Sequence, residues 1–165
     1  MIALKKVLVA TDFSEPSEAA LAYGRELARN FGGQLVVLHV VNDTFAATAG
    51  PDGFVFTNPG MQASVNAAGQ KRVDDLISVE DRTLLRAQGI VVTSDAPAAA
   101  IVKYAKDSDV NLIVIGTHGR GGMAHLLLGS IAERVVRIAP CPVLTVRHPE
   151  REFVLPDALV AVTTA

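Results

Sequence analysis

The sequence has one cysteine, Cys141, so it holds no internal disulfide. A lone thiol fits a reducing compartment. It has no run of the ~18 consecutive apolar residues that a membrane-spanning helix needs. The opening stretch, MIALKKVLVATD, has a short apolar run and meets Thr11 and Asp12 without a small-residue cleavage site. No secretion signal is therefore expected, and a cytoplasmic protein is. The 15 lysines and arginines never form a block of five, and the net charge is only −2, which argues against a broad nucleic-acid surface. The four histidines lack metal-ligand spacing.

What the chain does have is apolar material. Half of its 165 residues are hydrophobic and 19% are charged. That length fits one domain, and folding at this size buries roughly two-thirds of the surface of the unfolded chain.

Short apolar, β-branched runs alternate with helical patterns. Strands are predicted at Lys5–Ala10, Gln34–Val41, Ile90–Thr93, Asn111–Ile115 and Pro142–Val146. The first helix is predicted to start at Ser14 as N-cap, with Pro16 in its first turn, and to bury Ala20, Tyr23, Leu27 and Phe31 before Gly32-Gly33 stops it. A long helix over Gln62–Gln88, frayed near Gly69 and closed by Gly89, would bury Val73, Ile77, Leu84 and Leu85. Two further helices are expected, one burying Ile101, Val102 and Ala105, the other running through Ile131, Val135 and Ile138 to Pro140. Asn42–Gly60, rich in glycine and proline, reads as a long loop. This alternation predicts an α/β fold: a parallel sheet with helices on both faces, joined by right-handed crossovers. Residues 1–148 form the expected domain and 149–165 a tail.

In such sheets ligands sit at the carboxyl ends of strands, where strand order reverses. Two strand ends carry suitable residues: Thr11-Asp12, and the turn that runs from Gly116 to Ser130. The glycines of that turn have the spacing G-x2-G-x9-G-S. Glycine lets backbone N–H groups approach an anion, and successive N–H groups make an anion-binding concavity. Gly129-Ser130 begins a helix, where unpaired N–H groups and the helix dipole favour negative charge. The dipole supplies roughly 0.3–1 kcal/mol, whereas micromolar affinity takes about 8 kcal/mol, so base and ribose contacts must join the phosphate contacts. No lysine precedes Ser130, which excludes a P-loop, and the turn after the first strand, ATDFSE, lacks the dinucleotide fingerprint.

The segment GTHGRGGMAHLLLGSIAERVVRIAPCPVLTVR, the start KKVLVATDFSEPSEAAL and the strand LVVLHV resemble the universal stress protein family over about Met1–Arg147. The resemblance implies an open five-stranded parallel sheet in order 3-2-1-4-5. It also implies ATP binding, since members with this glycine spacing typically bind ATP; ADP, AMP and cyclic AMP stay open as ligands. Phosphate contacts are implied from Gly119, Arg120, Gly129, Ser130 and Ile131. Gly116 is implied near the ribose, Ala10, Thr11 and Asp12 on the nucleoside side, and Val40 at adenine through its backbone. Ala10 stands where some ATP-binding members carry proline. The family further implies a homodimer paired through strand 142–146, an apolar edge that needs covering. A protein partner that reads the nucleotide-bound surface is expected, but not identified.

Asp12 is placed to hold a ribose hydroxyl or a nucleotide-bound Mg²⁺, or to cap the turn that follows it. His118 is a candidate contact within the glycine turn; no acid nearby supports a catalytic role. His39 reads as a hydrogen-bonded core group, and Glu133–Arg137 as an exposed i,i+4 pair. Two other readings stay open: a slow ATPase or nucleotidyl transferase using Asp12 and His118, and a nucleotide-free dimerisation module.

Overall fold

A computed structural model describes residues 3–43, 59–117 and 129–147. The elements run β1 (Lys6–Thr11), α1 (Glu15–Phe31), β2 (Gln34–Val41), α2 (Pro59–Leu76), α3 (Val79–Leu84), β3 (Gln88–Thr93), α4 (Pro97–Asp107), β4 (Leu112–Gly116), α5 (Ser130–Ile138) and β5 (Val143–Val146). The five strands form one parallel sheet in order β3-β2-β1-β4-β5.

The near-continuous apolar runs of β1, β2 and β4 follow from burial on both faces. Val7, Val9, Leu35, Val37, Leu112 and Val114 point toward α1 and α2. Leu8, Ala10, Val36, Leu38, Ile113 and Ile115 point toward α4 and α5. Each large side chain buried this way contributes roughly 1.5–3 kcal/mol. No helix among the described residues is long and apolar enough to cross a membrane.

Three local expectations need correction. The buried face of α1 is not the stripe Ala20, Tyr23, Leu27, Phe31. It is Ser17, Ala20, Leu21, Gly24 and Ala28, while Tyr23 and Leu27 are partly buried and Phe31 is 46% exposed. The small residues win because the helix lies close against the sheet. A Cβ on Gly24 would fall 2.3 Å from Val9 Cγ2.

The long second helix is two helices. Ser78 starts α3 with a reciprocal capping box: its hydroxyl accepts from Asp81 N–H, and the Asp81 carboxylate accepts from Ser78 N–H, both at 3.0 Å. The S-x-x-D pattern was visible in the sequence, yet the apolar periodicity on either side masked it. Leu84 is 61% exposed, whereas Val73, Ile77 and Leu85 are buried as expected. Gly69 lies well inside α2, and Gly89 is a residue of β3 rather than a helix stop.

On the later helices, Ile101 and Ala105 are buried and Val102 only partly. In α5 the inward residues are Ala132 and Val135; Ile131 and Ile138 are 43% and 50% exposed. The loop 44–58 and the tail 148–165 lie outside the described residues.

Candidate functional site

Strand order places the candidate site. From β1 the chain builds outward through β2 and β3, then returns to the other side of β1 for β4 and β5. The reversal point is the β1–β4 seam, and sheets of this kind bind ligands at the carboxyl ends beside such a point. Ala10 is opposite Ile115 in that pair, so Thr11-Asp12 and Gly116-Thr117 emerge side by side.

At the end of β1, Thr11 is buried, with Oγ1 3.1 Å from Ser17 Oγ. The same Oγ1 accepts from Phe13 N–H at 3.0 Å. Asp12 is partly buried, and its Oδ1 accepts from Ser14 N–H at 3.1 Å and from the Ser14 hydroxyl. The turn-capping role weighed for Asp12 therefore describes Oδ1. Ser14 is the N-cap of α1, as expected, but it makes no side-chain cap bond, because its hydroxyl is turned back onto Asp12.

At the end of β4, Thr117 N–H donates to Val146 C=O at 2.8 Å, and Gly129 N–H donates to Thr117 C=O. That bond brings Gly129 to Thr117, the residue after Gly116, although 11 residues separate the two. Gly129 is the N-cap of α5 and has no side chain with which to cap it. The first N–H groups of α5, at Ser130 and Ile131, lack intrahelical acceptors. Gly116 also has a structural duty: a Cβ there would lie 2.8 Å from the carbonyl carbon and oxygen of Pro16. His118, Gly119 and Arg120 lie outside the described residues.

Ala10 is buried, and Val40 packs with the α4–α5 side of the sheet. Val41 C=O accepts from Ser94 N–H at 2.9 Å, so its backbone faces β3. Backbone direction alternates along a strand, which turns the N–H and C=O of Val40 toward β1. A continuing β1 would offer Phe13 N–H to that carbonyl, but Phe13 N–H is bonded to Thr11 Oγ1 instead. Val40 C=O faces the space that β1 vacates. His39 is partly buried rather than a core group; its Nδ1 bonds Thr11 C=O at 2.8 Å.

Sequence reasoning missed Phe13, Ser17 and Arg72, which surround this turn. The only signal was Asp12-x-Ser14, a pattern for an Asx turn. Elsewhere, Glu133 and Arg137 pair at 2.8 Å on the surface, as expected, where such pairs contribute little. Burial raises the Cys141 thiol pKa, against a backbone hydrogen bond at Ile113 that lowers it. No group of three His, Cys, Asp or Glu among the described residues could hold a metal ion.

The sequence profile of the universal stress protein family matches residues 3–147. The chain belongs to this family. Universal stress protein YxiE of Bacillus subtilis is 31% identical over 146 residues, which cover 86% of this chain and 98% of the relative. The solved structure of protein MJ0577 matches with a TM-score of 0.72 at 25% identity, over 90% of this chain and 99% of that one. A universal stress protein solved in complex with cAMP matches with a TM-score of 0.60 at 24% identity, over 88% of this chain and 98% of that one; this likeness shows the fold. The order 3-2-1-4-5 is thus both the expectation and the finding for this universal stress protein.

Proposed function

We propose that this universal stress protein is a regulatory adenine-nucleotide-binding protein, with ATP as its first ligand. One observation carries the reading: the two ends of the glycine turn are hydrogen-bonded together at the β1–β4 reversal point, beside Asp12. The N–H groups at the start of α5 suit phosphate, and the carbonyl of Val40 suits the amino edge of adenine. Gly119, Arg120 and His118 would complete the phosphate side, and Gly116, Ala10, Thr11 and Asp12 the ribose side. Adenine nucleotide is also the ligand class of the cAMP complex of the same fold. Mg²⁺ is proposed to enter with the nucleotide, since it is commonly held by one or two carboxylates plus phosphates, with Asp12 as the candidate carboxylate. Because Ser14 holds Asp12 Oδ1, that carboxylate serves binding better than proton transfer.

Calorimetric titration with ATP tests this. The wild type is expected to bind, and ATP at about 100 times Kd should stabilise it by about 2.7 kcal/mol. Gly119→Val should stay folded and lose at least tenfold in affinity, since a side chain there obstructs the phosphates. A folded variant that binds as well as the wild type would place the ligand elsewhere.

The same unit, residues 1–148, is proposed to act as a homodimer. Among the described residues β5 pairs only with β4, and Ile131, Val136 and Ile138 of neighbouring α5 are 43–50% exposed. An apolar edge of this kind invites pairing with a second copy. Sedimentation at micromolar concentration should return the dimer mass; a monomer mass rejects the assembly.

A further inference from the structure

Phe13 has a left-handed backbone, with φ 65°. For a bulky residue this is an outlier, and it persists only when its surroundings over-determine it. The Phe13 ring lies 4.4 Å from the His39 ring, tilted by 53°. The Arg72 guanidinium sits over the Phe13 ring, 3.7 Å from its centroid. His39 is itself fixed, since its Nδ1 bonds Thr11 C=O at 2.8 Å.

Arg72 stands apart from the other arginines near it. Arg25, Arg29 and Arg82 each hold a carboxylate; Arg72 pairs with none among the described residues. It is delivered by α2, which comes close to β2 at Gly69, where a Cβ would lie 3.6 Å from His39 Cδ2. An exposed arginine on a helix is thereby spent on one aromatic ring, and that ring belongs to the turn that carries Asp12.

We propose that Arg72, Phe13 and His39 form a positioning stack. It holds the β1–α1 turn in its left-handed form, and so sets the Asp12 carboxylate and the space beside Val40 for a nucleoside. None of the three needs to touch the ligand; Arg72 acts through Phe13, and Phe13 through the backbone of Asp12. The inference rests on the nucleotide-binding reading above.

The test uses the full chain with Arg72→Gln and Arg72→Lys, both changes on an exposed side chain. In ligand-free protein, hydrogen exchange at Phe13 N–H should be about three- to fivefold faster in Arg72→Gln, the strength of an exposed cation–π contact, and near wild type in Arg72→Lys. ATP affinity should fall by the same factor in Arg72→Gln and recover in Arg72→Lys. In an Asp12→Asn background the further loss of affinity from Arg72→Gln should be smaller than in the wild type, because only the space beside Val40 is then left for the stack to set. Unchanged exchange at Phe13 overturns the stack, whatever the ligand result. Faster exchange with unchanged ATP affinity overturns the positioning role. A wild type that binds no ATP, with exchange still accelerated in Arg72→Gln, overturns the nucleotide reading and leaves the stack as the holder of the turn.

Discussion

Gly24→Val is expected to destabilise the protein by about 3 kcal/mol, at the upper end of overpacking costs. Gly24 faces Val9, which is fully buried in the central strand, and even a Cβ would fall 2.3 Å from Val9 Cγ2. Neither partner can yield cheaply, because Val9 is walled in by the rest of the α1–α2 core and has one stiff rotor. Replacing glycine in a helix normally gains up to about 1 kcal/mol in propensity, so a net loss isolates the steric effect. The melting temperature should fall by roughly 2–4 °C per kcal/mol for a chain of this size. Ala22→Val, on the exposed side of the same helix, should cost only about 0.5 kcal/mol. Equal stability of the two variants in urea would mean that α1 does not approach the sheet this closely.

The second large effect is expected at Asp81. This carboxylate is 3% exposed and serves two donors at once: Arg25 Nε at 3.0 Å and Ser78 N–H at 3.0 Å. Arg25 also donates to Leu76 C=O, so the pair ties the α2–α3 break to the middle of α1. Asp81→Ala removes an N-terminal capping box and leaves the Arg25 charge without its partner. Loss of one member of a buried pair costs about 3–5 kcal/mol. Arg25 is 29% exposed and keeps solvent contact, so about 2–3 kcal/mol is expected. Urea denaturation should show a lower midpoint with the slope unchanged. In a double-mutant cycle with Arg25→Met, most of the loss should prove shared between the two residues. Independent, additive losses would show that the capping box, and not the ion pair, carries the effect.

Both effects lie outside the candidate site, and both were hard to read from sequence for the same reason. Periodicity marks which residues are apolar, whereas the distance between two elements decides which of them are buried. Tyr23, Leu27 and Phe31 have the right spacing on α1, but the sheet comes close enough that Ser17, Ala20, Leu21, Gly24 and Ala28 are the buried face, with Tyr23 and Leu27 at its margin and Phe31 exposed. Likewise, Val73 to Leu85 reads as one helical stripe, while the cap at Ser78 and the hold of Arg25, a partner 56 residues away from Asp81, break it.

The strands were legible because a doubly covered parallel sheet demands continuous apolar runs, and such runs are local. The glycine spacing was legible as a candidate anion-binding turn, and its family pattern pointed to the sheet order, which no local signal carries. Only the tertiary structure could show that Gly129 meets Thr117, the residue after Gly116, through the hydrogen bond from Gly129 N–H to Thr117 C=O that closes the turn. Only it could show that Gly116 is needed where the chain passes against Pro16. It also decided that Asp12 is held by Ser14, and that Phe13 is left-handed against His39 and Arg72. By itself, then, the sequence determined the class of fold and the two strand ends that hold the candidate site. How the atoms at those ends are aimed was settled by contacts between β1, β2, α1 and α2, segments brought together only by folding.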